Sequence, residues 1–238
     1  MFRPKRRNEK VNKRSFGSRL VAAPYLVWAA IFIIVPLFIM VYFALTNDAG
    51  VFTLENLTSI GKYKKAFLIS IIYALIATVI TLILAYPMSY FMTRMKISSQ
   101  RMIMLIVMLP MWMNFLIRTY SWITLLANTG IINTLLSKIG IGPLHMINTP
   151  GAVILGMVYN FLPYMILPIY SIMSKLDYRL VEAAQDLGAD AFHVFSRVLL
   201  PLSVPGIVTG ITMVFVPAVS TFIISRMLGG GSNLLIGD

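Results

Sequence analysis

Residues 182–201 read EAAQDLGADAFHVFSRVLLP. This is the one long polar, helix-forming interlude in the second half of an otherwise apolar chain, between a run ending near Met173 and another restarting near Leu199. Just upstream, Asp177 can cap a helix beginning at Tyr178, because a carboxylate accepts the orphan N–H groups of a first turn. Arg179 and Glu182 stand three apart, a favourable pair on a helix. Glu182, Ala183, Ala184, Gln185 and Leu187 are strong or tolerable helix formers. Gly188 suits the left-handed residue that ends a helix. Asp190 can then cap a second helix, with Phe192, Phe195, Val198 and Leu199 as its apolar face. These residues predict a helix–glycine–helix elbow with small alanines at its tip, where another backbone can approach closely. An ordinary amphipathic loop accounts for the same composition.

What surrounds the elbow is membrane-like. The chain has 238 residues, 58% hydrophobic and only 12% charged, with mean hydropathy +0.84. Soluble domains carry about twice that charged fraction, so too little polar surface exists to cover a water-soluble globule. The net charge of +12 does not indicate a nucleic-acid partner, because it sits in short segments flanking apolar runs, as membrane topology requires. Cysteine is absent, which excludes disulfides, thiolate metal sites and cysteine nucleophiles. The first apolar run is too long for a signal-peptide core and has no small-residue cleavage site, so it reads as a retained span.

A helix needs about 20 apolar residues to cross the hydrocarbon core. Five windows qualify: 21–45, 67–92, 102–126, 151–173 and 199–225. The expected fold is an all-α polytopic membrane protein. A basic cytoplasmic tail, 1–20, with lipid headgroup contact, would precede a transmembrane domain, 21–238. Most windows hold prolines: Pro24 and Pro36, Pro87, Pro110, Pro163 and Pro168, Pro201, Pro205 and Pro217. Such residues kink helices, and neighbouring protein or water must satisfy the freed carbonyls. Helices bent around a pathway are the expectation. With the N-terminus inside, fourteen Lys/Arg fall in inner segments and five in outer ones, with Arg118 inside a span. The positive-inside rule therefore puts the loop 174–198 in the cytoplasm.

Catalytic machinery is not legible. The glycine-rich end at 229–232 has no following Lys-Ser/Thr, His145 and His193 are isolated, and no Asp or Glu lies within a window. The outer segments carry turn signals, Asn47-Asp48-Ala49-Gly50 and Gly142-Pro143, and would be ordinary loops or a docking rim.

The spacing Glu182-Ala183-Ala184, three residues, Gly188, nine residues, Val198, one residue, Leu200-Pro201 resembles the EAA loop of permease subunits of bacterial ATP-binding-cassette importers. Val198 stands where Ile is usual. The basic tail, Ala23-Pro24-Tyr25 and the form Asp186-Leu187-Gly188-Ala189 extend the likeness to the polyamine branch of that family, over the whole chain. The resemblance implies a type I importer permease in the bacterial inner membrane, multi-pass, with its N-terminus cytoplasmic. It implies a coupling helix docked on a cassette ATPase dimer, through Glu182, Ala183, Ala184, Asp186, Leu187, Gly188, Ala189, Leu200 and Pro201. Further implied partners are a second permease subunit, an external substrate-binding protein and the bilayer. ATP and Mg would sit on the partner ATPase, with no cofactor or metal in this chain and no hydrolysis by it. The implied cargo is spermidine or putrescine. Family members have six spans, whereas five windows fit here and the sequence stops in a Gly-rich stretch where the outer loop to a sixth should follow. A truncated, non-transporting scaffold is therefore the alternative, and an importer of an inorganic anion would suit Arg118 better.

Without carboxylates in the spans, a polyamine would have to pass aromatic faces and amide oxygens. Candidates are Trp112, Asn114, Tyr120 and Trp122 in the third window, and Tyr159, Asn160 and Tyr164 in the fourth. Arg118 joins them, since a charge at membrane depth usually faces protein or water and serves function; because a cation in the path would repel a polyamine, it could instead pair with a partner carboxylate, cap freed carbonyls or snorkel outward. At spacing i, i+4, i+8, Asn114, Arg118 and Trp122 would share a helical face.

Overall fold

The computed structural model describes residues 24–47, 50–54, 56, 59–231, 235 and 237. The basic tail 1–20, Ala23, the turn residues Asp48 and Ala49, and Ser232 of the glycine-rich end lie outside them. The chain divides into two compact units, Met1–Lys62 and Tyr63–Asp238. The first carries helix α1, Pro24–Ala44. The second holds α2 (Lys64–Arg94), α3 (Ile97–Trp112), α4 (Phe115–Leu126), α5 (Ile131–Lys138), α6 (Pro150–Met173), α7 (Arg179–Asp186), α8 (Ala191–Ser220) and α9 (Ile223–Leu228).

The prolines act on helix geometry in a repeated way. In α1 a π-turn spans Ala30–Ile34, the Val35 N–H reaches back to the Ala30 carbonyl, and Pro36 follows. In α8 a π-turn spans Phe195–Leu199, the Leu200 N–H reaches the Phe195 carbonyl, and Pro201 follows. Proline cannot donate to the carbonyl four residues back. The wider turn before it re-registers the ladder without ending the helix.

The body of the second unit is α2, α6 and α8 packed together. Small residues permit this, since the helices of a membrane bundle approach closest where side chains are short. The buried face of α2 runs Ser70, Ala74, Ala77, Thr78, Thr81, Ala85, Tyr86, Ser89. Its hydroxyls are satisfied locally, Thr78 Oγ1 donating to the Ala74 carbonyl and Thr81 Oγ1 to that of Ala77, each at 2.6 Å. Gly206 of α8 lies against the α6 backbone: a β-carbon there would sit 2.9 Å from the Pro168 carbonyl oxygen and 3.1 Å from the Ile169 α-carbon. Two polar ties join the helices: Tyr86 Oη and Ser203 Oγ lie 3.0 Å apart, and Ser89 Oγ donates to the Ile166 carbonyl at 3.3 Å. The outer surface of α2 is apolar (Ile72, Leu75, Val79, Ile83), as lipid or another subunit requires.

The third expected span, 102–126, is not one helix. It breaks at Met113–Asn114, and the flanking helices, Ile97–Trp112 and Phe115–Lys138 taken together, meet at 95°. Asn114 starts the new helix by accepting hydrogen bonds from the Leu116 and Ile117 N–H groups. Asn114 is thus a cap and does not belong to the helical face carrying Arg118 and Trp122. The broken pair still crosses the body. Tyr170 Oη, near the end of α6, donates to Gln100 Oε1 at the start of α3 (2.7 Å). The connection from residue 100 to Pro150 must therefore travel the full length of α6, about 36 Å for its 24 residues. At the far end Asn148 N–H donates to the Leu228 carbonyl (2.9 Å), and α9 packs on α6 through Ile224 and Leu228. The fifth expected window, 199–225, likewise ends as helix at Ser220, and α9 is separate.

Candidate functional site

The polar interlude folds as the elbow its residues require. Asp177 Oδ1 accepts the Arg179 N–H (3.0 Å) and α7 begins there. Gly188 closes α7 in the left-handed region, φ +83°, with its N–H on the Gln185 carbonyl and the Ala189 N–H on that of Ala184. Asp190 opens α8, accepting the His193 N–H at 2.8 Å with the imidazole Nδ1 also 2.8 Å away.

Two details differ from the sequence expectation. Arg179 and Glu182 do not pair; the ion pair among the described residues is Asp190–His193. Long exposed side chains gain too little from pairing to be held. The apolar face of α8 at the elbow is also rotated. Val194 and Leu199 are buried with Val181 of α7, while Phe192 is 71% exposed. The π-turn at Phe195–Leu199 supplies the extra residue that shifts the register.

The outer side of the elbow presents Glu182, Ala183, Asp186 and Gly188 to solvent, with Leu187 89% exposed. A concavity of about 500 Å³ runs beside it, lined by Ala184, Leu187, Gly188, Ala189, Asp190, His193, Arg197 and Val198. Leu200 and Pro201 stand where α8 returns from π to α geometry, and so fix how the elbow joins the helix.

The His193 N–H, and then its ring, hold the Asp190 carboxyl below the ordinary carboxylate range. Because folding depresses that pKa, the cap's contribution is fully present above the ordinary value and is lost as pH falls through the depressed one. Protection of the His193 amide against hydrogen exchange should therefore hold from neutral pH down to about pH 4 and fail in stronger acid. Protection already lost well above the carboxylate range would show that the Asp190 carboxylate is not what holds the amide.

The family described as binding-protein-dependent transport system inner membrane component matches residues 77–238. The chain belongs to this family. It is a permease, a multi-pass component of the inner membrane. Among its relatives are the spermidine/putrescine transport system permease proteins PotB of Haemophilus influenzae and Escherichia coli. The first is 39% identical over 92% of this chain and 80% of that protein, the second 38% identical over 89% and 80%. A PotB homolog of Mycoplasma genitalium is 28% identical over 88% of this chain and 74% of its own length. In fold, the permease is similar to a bacterial ABC transporter involved in the import of the acidic polysaccharide alginate (TM-score 0.65, 19% identity, 94% of this chain and 78% of that one). A second structure of a bacterial alginate ABC transporter, in complex with an alginate pentasaccharide-bound periplasmic protein, matches with TM-score 0.63 and 19% identity over 82% and 69%.

The pathway candidates of the permease lie on α3, α4 and α6 and at the α3–α4 break. Trp112 is 78% exposed at the end of α3, and Tyr120 is exposed on α4. Trp122 and Tyr159 meet edge to face, ring centres 5.3 Å apart, and Tyr164 is part-exposed on α6. Asn160 is buried and donates to the Gly156 carbonyl (2.8 Å). Arg118, for which the sequence leaves open lining a path, pairing with a partner carboxylate, capping freed carbonyls or snorkelling outward, is only 7% exposed. Its Nη1 donates to the Pro110 carbonyl at 2.6 Å, with the Phe115 and Tyr159 rings under 6 Å away. The guanidinium thus ties α4 back to the last turn of α3, sharing the Pro110 carbonyl with the Met113 N–H (3.2 Å).

Sequence reasoning missed Arg94, Tyr90 and Tyr178. Arg94 Nη2 donates to Tyr90 Oη (2.8 Å), and its guanidinium lies 3.9 Å from the centre of the Tyr178 ring. The available signal was a tyrosine four residues before an arginine at the end of a long apolar helix; the arginine counted only towards topology.

Proposed function

We propose that this permease forms part of an ATP-driven importer of polyamines, spermidine or putrescine. The observation that carries the cargo is the likeness to the two PotB proteins, at 38–39% identity along four-fifths of their length. In this proposal residues 1–20 are a cytoplasmic tail, 21–238 the transmembrane domain, and 174–198 the cytoplasmic coupling loop. The ATPase dimer, which carries ATP and Mg and performs hydrolysis, docks on Glu182, Ala183, Ala184, Asp186, Leu187, Gly188 and Ala189, with Leu200 and Pro201 at the hinge. A second permease completes the pathway, and a binding protein delivers cargo from outside. Two features support the docking role: the exposed Leu187 beside its groove, and the excess of basic residues on the elbow's side of the chain.

The elbow would transmit a population shift. ATP-bound and ATP-free partners contact it differently, and that difference biases the spans between inward- and outward-open states. The cation would pass aromatic faces such as Trp122, Tyr159 and Tyr164, whereas Arg118 shapes the bend. Reconstitution of the permease with its ATPase, second permease and binding protein tests this function. ATP-dependent accumulation of labelled spermidine, with no accumulation of sulfate, is the expected result. Uptake of sulfate in place of spermidine would reject the cargo, and a stable assembly that transports neither would favour the scaffold.

A further inference from the structure

The elbow is joined to the transmembrane body covalently through α6 and α8. It is also tied to a third helix with which it shares no chain connection. Arg94, the last residue of α2, lays its guanidinium 3.9 Å from the Tyr178 ring, at the residue that opens α7. The same guanidinium lies 4.9 Å from the Tyr90 ring and donates to the Tyr90 hydroxyl at 2.8 Å.

Two concavities adjoin this contact. One concavity of about 320 Å³ is lined by Tyr90, Arg94, Gln100, Asp177 and Tyr178; another of about 690 Å³ is lined by Tyr90, Arg94, Tyr178, Gln185 and Phe195. Arg94 and Tyr178 border both, together with Tyr90, Val181 and Leu199, so the contact sits in the wall between the two spaces. Beside it, α7 rests on the small apolar cluster of Val181, Val194 and Leu199, which Tyr90 also touches. A planar guanidinium between two tyrosines is a directed contact, geometrically stricter than apolar packing.

We infer that Arg94 is a positioning residue for coupling: it is the strut that passes displacement of α7 directly to α2, through Tyr178 at one end and Tyr90 at the other. This rests on the proposal that the ATPase docks on the elbow. With the strut, movement of the elbow reaches α2, α6 and α8 together. Without it, α2 keeps only the non-polar contacts of Tyr90 and Tyr86 with the elbow and its packing on the other two.

The test uses the reconstituted complex with two readouts: crosslinking of Ala183→Cys to the ATPase, and ATP hydrolysis stimulated by the cargo-loaded binding protein. Arg94→Ala should leave crosslinking unchanged and lower stimulated hydrolysis about tenfold, the size of coupling that contacting residues show. Arg94→Lys keeps the charge but loses the planar stack and should recover only part of that loss. Tyr178→Leu should reproduce Arg94→Ala, and the double variant should be no worse than either single one. Crosslinking that persists while Arg94→Ala and Tyr178→Leu keep full stimulation overturns the strut alone, as do fully additive losses. No crosslink in the parent complex overturns the docking proposal on which it stands. Should Arg94→Ala not assemble, Arg94→Lys and Tyr178→Leu decide: losses in both that do not add support the strut, and full stimulation in either removes it.

Discussion

Gly206→Leu should prevent the body of the permease from closing. A β-carbon at 206 already meets the Pro168 carbonyl oxygen at 2.9 Å, the Ile169 α-carbon at 3.1 Å and Ile172 Cγ1 at 3.1 Å. Two of these three atoms are backbone, so no rotamer change relieves the contact and α8 must lift off α6. Overfilling a packed interior costs about 1–3 kcal/mol, and a bulky side chain against main chain belongs at the upper end. Gly210→Ala is the control. Its β-carbon would meet Met165 Sδ at 2.6 Å, but a methionine thioether is flexible and can move aside. Denaturation of the purified protein in a mixed-detergent titration should show a large loss for Gly206→Leu, a moderate one for Gly206→Ala and a small one for Gly210→Ala. Equal losses for the two alanine variants would mean that the α6–α8 contact is not set by backbone approach.

The second large effect belongs to Gly188. It is left-handed, φ +83°, and a β-carbon there would meet nothing within 4 Å. The whole cost of substitution is therefore backbone conformation, about 1–2 kcal/mol for an ordinary residue and more for a β-branched one. Asparagine tolerates this region. Stimulated ATP hydrolysis should fall in the order Gly, Asn, Ala, Val, with Gly188→Val reduced by about tenfold or more at unchanged membrane abundance. Activity that instead followed side-chain size, with Asn below Ala, would place the constraint in the docking groove and not in the turn.

Much of the elbow was legible because its signals are local. Asp177, Gly188 and Asp190 act on backbone groups two or three residues away, and each does what its type and position require. The buried face of α8 was not legible, since an inserted π-turn residue rotates Phe192 outward and Val194 inward, and periodicity at 3.6 has no place for it. The break in the third span escaped for a different reason. Averaged hydropathy over 102–126 sees uniform apolarity, while the break depends on Asn114 folding onto the Leu116 and Ile117 amides. The strut at Arg94 is a contact between residues 84 positions apart, and no pattern within either segment announces the other.

The bend held by Arg118 bears on how the protein is made. A guanidinium midway along a nascent helix costs about 2.5–3.5 kcal/mol when the translocon releases it sideways into lipid. Its oxygen ligand, at Pro110, is eight residues upstream and has left the ribosome first. The bent pair of α3 and α4 can thus shelter its own cation during insertion, before Tyr159 has been synthesised to close over it.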